Sequence, residues 1–142
     1  MDKQRLFTQL RVHEGVEAKP YKCTAGYLTI GVGRNIEERG LSDDEIDFLL
    51  NNDVAIAERE VRSSFDWFDD LSEIRQRVVI DMIFNLGMPR FKQFKNMIAA
   101  IEAGDWDEAA SQMLDSKWAR QVGARATRLS EMMATDTDTS DF

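Results

Sequence analysis

Residues 42–63 most constrain what this chain can fold into. Ser42 and Glu45, in "SDDE", have the spacing of a capping box. In that motif the serine hydroxyl and the glutamate carboxylate each satisfy a backbone N–H of the first helical turn. Asp43, Asp44 and Glu45 also place negative charge at the positive end of the helix dipole. Ile46, Leu49, Leu50, Val54, Ala57 and Val61 then carry an apolar stripe at helical spacing. A helix of about 21 residues spans about 30 Å, which is long for one compact layer. The expectation is a helix that joins two lobes.

The flanking segments differ in kind. Residues 3–14 read as an amphipathic helix with Phe7, Leu10 and Glu14 on one face, stopped by Gly15. Residues 20–33 read as a hairpin in which "YKCT" and "YLTIGVG" flank "AG". Alternation puts Tyr21 and Cys23 on one face of the first strand, and Tyr27 and Thr29 together on the second. Beyond residue 63, helices are expected over 72–86, 91–103, 106–114, 116–121 and 124–133, several of them ending at glycines. The polar "ATDTDTSDF" is expected to fray. The fold class is therefore α+β and mostly helical. A small N-terminal lobe (about 12–42) carries the hairpin, with helix 3–14 packing at the lobe interface. A long helix (about 43–63) leads to a helical lobe (about 64–134) and an acidic tail (135–142), all within one domain.

Composition agrees with a folded, disulfide-free chain. Apolar residues make up 43% of the 142, charged residues 31%, and there are only two prolines, which argues against disorder. The single cysteine cannot close an internal disulfide, and this fits a reducing compartment. "MDKQRLFTQLRVHEG" lacks the apolar run of a signal peptide, and no window is apolar enough for a membrane span. A soluble protein made in the cytoplasm, without stable membrane association and monomeric, is expected. The net charge is -8, with nine acids against two bases over residues 36–60. That disfavours nucleic-acid binding, which needs a concentrated basic face. The acidic stretch reads as a solvated face; a basic protein partner is the other reading.

The chemistry-bearing residues are few. One histidine and one cysteine, with no CxxC, HxxxH or calcium-loop pattern, give no metal site, and no nucleotide-binding loop appears. No cofactor is expected. His13 and Cys23 make a poor nucleophile–base pair, because His13 is adjacent to Glu14 and points about 100° away from it on a helix. Glu14 is the better candidate. Its place on the apolar face and at the helix C-terminus would favour a protonated carboxyl, as a general acid requires. Periodicity alone leaves it open between that role and an ordinary boundary glutamate. Cys23 is likewise open between a cleft residue and a small core residue.

Glu14, eight residues, Cys23, five residues and Thr29, set in "HEG…YKCTAGYLTIGVGR", resemble the phage-type lysozymes of glycoside hydrolase family 24. That family's motif is a glutamate, eight residues, Asp or Cys, five residues and a threonine. "LLNNDVAIAEREV" resembles its interlobe helix, "RQRVVIDMIFNLG" the central helix of its C-terminal lobe, and "DWDEAASQMLDSKWARQVGARATRLSEMM" its closing helices. The resemblance implies an endolysin, a bacteriolytic muramidase. Its reaction would be hydrolysis of the β-1,4 bond between N-acetylmuramic acid and N-acetylglucosamine in bacterial peptidoglycan.

It further implies Glu14 as the acid, with Cys23 and Thr29 on the opposite face of the sugar. Phe84, Asn85 and Gln112 would meet substrate along the lobe interface; a core aromatic is the other reading of Phe84. Arg125 would approach Glu14, and Arg34 would pair with Asp53; two unpaired surface charges are the other reading of Arg34 and Asp53. Such a protein would stay in the host cytoplasm until the membrane is permeabilised and then act on the wall. The chain departs from the family in its short 35–42 connection, its acidity and the rarer cysteine. A peptidoglycan-binding module with weak or no catalysis is the alternative that Cys23 leaves open.

Overall fold

The computed structural model describes residues 1–142. The chain forms two compact units, Met1–Leu49 and Leu50–Phe142, and the division falls within one continuous helix.

In the first unit, α1 (Lys3–Glu14) starts where the Asp2 carboxylate accepts the Arg5 N–H at 3.0 Å and stops at Gly15, which has a φ of 79°. Three antiparallel strands follow in the order β1 (Glu17–Lys22), β2 (Leu28–Gly31) and β3 (Arg34–Asn35). The sheet corrects the hairpin expectation in three ways. The first strand starts earlier and ends at Lys22, so Cys23 lies in the turn and not in the strand. The loop is Thr24-Ala25-Gly26, closed by Cys23 N–H to the Tyr27 carbonyl at 3.0 Å, with Gly26 at a φ of 88° supplying the left-handed residue that three-residue hairpin loops need. A third strand, only two residues long, is too short to show alternation.

Register pairs Tyr21 with Thr29 and Thr29 with Asn35, so Thr29 holds the middle of the sheet. The β1–β2 register slips between Glu17 and Tyr21, the stretch that holds Pro20. Proline has no ladder donor and is tolerated on an edge strand, as here.

A short helix, α2 (Ile36–Arg39), precedes α3 (Asp43–Ser64). The capping box forms: Ser42 N–H donates to Glu45 Oε1 at 2.9 Å and Glu45 N–H to Ser42 Oγ at 3.2 Å. Arg34 of β3 reaches the same carboxylate at 2.6 Å and also donates to the Gly40 carbonyl at 3.2 Å. Strand, connection and helix start are thereby tied at one point.

The second unit is helical: α4 (Glu73–Leu86), α5 (Met88–Phe91), α6 (Lys95–Ala103), α7 (Trp106–Leu114), α8 (Lys117–Val122) and α9 (Ala124–Thr135). Ser72 caps α4 by accepting the Arg75 N–H at 3.2 Å, and Gly87 ends it at a φ of 80°. The helix expected over 91–103 is instead two: Pro89 starts α5, and Phe94, with a ψ of 58°, separates it from α6. The core lies here. Val61 of α3, Phe68, then Val78, Val79 and Met82 of α4, Phe91, Met97, Ile101, Met113, Leu129 and Met133 are all fully or almost fully buried. Each such side chain contributes about 1.5–3 kcal/mol by leaving water. The many methionines fill the irregular gaps between short helices.

Polar contacts join the tail to the helical unit. Arg75 donates to the carbonyls of Met133 and Ala134 at 2.8 and 3.3 Å, satisfying the end of α9, and lies 4.0 Å over the Trp106 ring. Asp136 accepts from Ser72 Oγ at 2.5 Å, Asp138 takes a bidentate pair from Arg77 at 2.8 and 3.1 Å, and Asp141 approaches Arg128 at 3.8 Å.

The Arg34 hydrogen bond, aided by Ser42, lowers the Glu45 carboxyl from its ordinary 4.5 to about 2. A carboxyl depressed by folding stabilises above its unfolded value and loses that contribution as pH falls through its folded one. Glu45→Gln should therefore be less stable than wild type at pH 7, and the two should converge as pH drops from about 4.5 towards 2. Urea melts across that range check this; a gap that does not narrow contradicts it.

Candidate active site

Glu14 is the last residue of α1, carried to the sheet by the Gly15 stop. Its side chain lies along the backbone of Gly33, in the turn between β2 and β3. A Cβ on Gly33 would fall 2.5 Å from Glu14 Oε2 and 2.9 Å from its Cδ. Gly33 also has a φ of 64°, which side-chain-bearing residues rarely adopt. The bare Cα and the left-handed turn thus make the seat of the carboxylate. Within its own unit Glu14 is exposed and α1 buries no residue, so the burial expected from its helix face is absent there.

Thr29 is 4% exposed, the one buried side chain of the first unit. Its hydroxyl donates to the Tyr27 carbonyl at 3.0 Å and lies within hydrogen-bonding reach of the Cys23 thiol. The hairpin register creates this contact: Cys23 lies opposite Tyr27, which makes Thr29 its diagonal neighbour on the same face.

Cys23 is half-buried and its thiol is pulled below the ordinary value. The main cause is a backbone hydrogen bond from Tyr27. Partial burial opposes it, while Ala25, the Thr29 hydroxyl and Gly26 assist. Acidification by Lys19, Lys22 and Arg34 would be the natural sequence-level guess, but the turn's own donors do the work. Backbone N–H groups converging on one atom form an anion-favouring nest.

The remaining expected residues divide between the units. Arg34 pairs with Glu45. Glu45 sits in the first turn of α3, beside the connection that Arg34 spans, whereas Asp53 is eight residues, about 12 Å, further along the helix. Asp53 is exposed and shares a hollow of about 260 Å³ with Phe84.

Phe84 is 48% exposed and is not a core aromatic. It also borders a cavity of about 440 Å³ with Arg125 and Asp81. The Arg125 guanidinium is engaged by Asp81, at 2.7 Å to the carboxylate and 3.3 Å to the carbonyl. Asn85 is exposed, and its Oδ1 accepts the indole N–H of buried Trp118 at 2.8 Å. Gln112 borders a separate hollow of about 320 Å³ and donates to Glu108 at 2.8 Å.

No cluster of three His, Cys, Asp or Glu side chains is arranged to hold a metal, and no helix is long and apolar enough to cross a membrane. Sequence reasoning missed Gly33 as a seat for Glu14, Asp81 and Glu45 as arginine partners, and Trp118 as the anchor of Asn85. "GVG" was a usable signal for the first, since paired glycines allow close backbone approach. The others join residues far apart in sequence.

Residues 11–133 match the family model described as phage lysozyme. Among curated proteins the chain is 27% identical to probable T4-type lysozyme 1 of Dictyostelium discoideum, over 90% of this chain and 92% of that one. It is 28% identical to the pre-baseplate central spike protein Gp5 of Enterobacteria phage T4, over 89% of this chain but 27% of that larger protein. The endolysin of Acyrthosiphon pisum secondary endosymbiont phage 1 is 23% identical over 84% of this chain and 82% of its own length.

Gly33→Ala should fold, as judged by far-UV circular dichroism, but lose at least about 100-fold in glycan hydrolysis, the scale expected when a reacting group is displaced by about 1 Å. Wild-type activity in Gly33→Ala would show that the Glu14 seat is dispensable.

Proposed function

Because the chain belongs to the phage lysozyme family, we propose that it hydrolyses the β-1,4 bond between N-acetylmuramic acid and N-acetylglucosamine in bacterial peptidoglycan. Its biological purpose is to lyse a host cell, after release from the cytoplasm to the cell wall by a separate permeabilising step. The observation that carries the reading is the hairpin constellation. Glu14 is seated on Gly33, and an acidified Cys23 lies within reach of the buried Thr29 hydroxyl, in one small sheet.

Glycoside hydrolysis needs a proton delivered to the leaving oxygen and a second group on the opposite face of the sugar. Glu14 is the proton donor. Cys23 occupies the position of the second carboxylate. Whether that group takes the proton of an attacking water or stabilises positive charge developing at the anomeric carbon, it acts as an anion. Lowering the thiol's pKa raises its thiolate fraction and so serves both tasks. The Thr29 hydroxyl, buried and donating to the Tyr27 carbonyl, lies beside that thiol. Phe84 offers an exposed aromatic surface, and Asn85 and Gln112 offer amide groups to sugar hydroxyls and acetamido groups. Arg125, held by Asp81, and Arg34, held by Glu45, support the frame.

Glu14→Gln keeps size and hydrogen bonding but removes the acid. It should fold and lose about 100- to 10,000-fold in turnover of permeabilised Gram-negative cells, the usual worth of general acid catalysis. Near-wild-type lysis would remove Glu14 from its role. Cys23→Ala should lose most activity with an intact fold. Cys23→Asp should keep activity and resist a thiol-alkylating reagent that inactivates wild type. Full lysis by Cys23→Ala would reduce the thiol to packing.

A further inference from the structure

The sheet leaves one backbone donor to be satisfied from outside it. Cys23 N–H donates to the Tyr27 carbonyl at 3.0 Å, and Lys22 faces Leu28 at the next position of the ladder. Bonded and non-bonded pairs alternate along two antiparallel strands, so the Leu28 N–H turns away from β1, to the side of β3. There β3 pairs Asn35 with Thr29 and ends. The next position, opposite Leu28, would be Ile36, but Ile36 is already the first residue of α2. The Leu28 N–H thus lacks a strand acceptor, and a backbone donor has to find a partner. Glu37 supplies it: its Oε1 accepts the Leu28 N–H at 3.4 Å. The one-turn helix that carries Glu37 is pinned at both ends. Asn35 Oδ1 accepts the Glu38 N–H at 3.1 Å, and Arg34 donates to the Gly40 carbonyl at 3.2 Å.

The Leu28 N–H and the Tyr27 carbonyl belong to one peptide group. That carbonyl accepts both the Cys23 N–H and the Thr29 hydroxyl, each at 3.0 Å. We propose that Glu37 is a positioning residue for the Cys23–Thr29 pair, because its carboxylate fixes the one peptide plane that both of them bond. The inference rests on the hydrolase reading above for the task it gives that pair. A plane released from Glu37 would tilt its carbonyl away from two donors at once. It would also loosen the Tyr27 N–H from the thiol, the main cause of the lowered Cys23 pKa, which Ala25, the Thr29 hydroxyl and Gly26 assist. A carboxylate bound to an amide N–H further polarises the carbonyl behind it and strengthens the bonds that carbonyl accepts. The charge of Glu37 by itself works the other way, since a nearby negative charge disfavours a thiolate. Position and charge therefore have opposite signs and can be separated.

The test uses the full chain and two variants. Glu37→Ala removes the acceptor, whereas Glu37→Gln keeps an acceptor oxygen and removes the charge. Hydrogen exchange of the Leu28 amide, followed by NMR, reads the bond itself and should be at least about tenfold faster in Glu37→Ala than in wild type or Glu37→Gln. Alkylation of Cys23 by iodoacetamide reads the thiolate. At about pH 7 it should be at least about threefold slower in Glu37→Ala and close to wild type in Glu37→Gln, and all should converge near pH 10, where the thiol is ionised in each. On purified peptidoglycan, kcat should fall at least about threefold in Glu37→Ala with KM unchanged, and Glu37→Gln should restore it. Unchanged Leu28 exchange, alkylation of Glu37→Ala at neutral pH as fast as wild type or faster, or failure of Glu37→Gln to restore the wild-type values would overturn the proposal. Exchange and alkylation that follow the expected order in a protein that hydrolyses no peptidoglycan would uphold the positioning of the pair and instead defeat the hydrolase reading.

Discussion

The N-terminal unit depends on the register that buries Thr29. Its 49 residues bury one side chain, and that side chain is polar. A chain of this length cannot fold around an apolar centre it does not have. What it has is a sheet in which Thr29 faces Tyr21 on one side and Asn35 on the other. A shift of one residue would turn Thr29 to the other face and Leu28 inward. It would also separate the hydroxyl from the Cys23 thiol and move Gly33 from beneath Glu14. Register, rather than core volume, therefore sets where Glu14, Cys23 and Thr29 stand.

Electrostatics in this unit is local. The Arg34–Glu45 pair is partly exposed, and exposed pairs contribute little by themselves. Its effect is geometric, since the same carboxylate also caps α3. The thiol is tuned by turn backbone groups, which are fixed in direction by the fold and carry no counter-ion that salt could exchange. An acidic protein can favour a thiolate in this way, because net charge need not be positive where a few N–H dipoles converge. In the helical unit Arg62, Arg75, Arg77, Arg125 and Arg128 are paired with the chain's own carboxylates.

Short-range physics was legible from the residues. The Ser42–Glu45 box, the Ser72 cap and the stops at Gly15 and Gly87 all formed where their spacing placed them, because each depends on neighbours within four positions. The break at Phe94 was not legible, since residues 91–103 are apolar enough to continue a helix and only packing decides against it. Arg77 meets Asp138 across 61 residues and Arg125 meets Asp81 across 44, and no local pattern encodes such pairings. Within the candidate site, the motif singles out Glu14, Cys23 and Thr29, whereas Gly33 needed coordinates to show what its missing side chain makes room for.

The claim that most of this supports is that Cys23 works as an anion. The direct measurement is the pH dependence of reducing-end release from purified peptidoglycan, for wild type and Cys23→Asp side by side. Thiol and aspartate reference values lie near 8.5 and 3.9, so changing the residue should carry the ascending limb with it. The account predicts that this limb shifts at least about two pH units lower in Cys23→Asp. An ascending limb at the same pH in both proteins would contradict it.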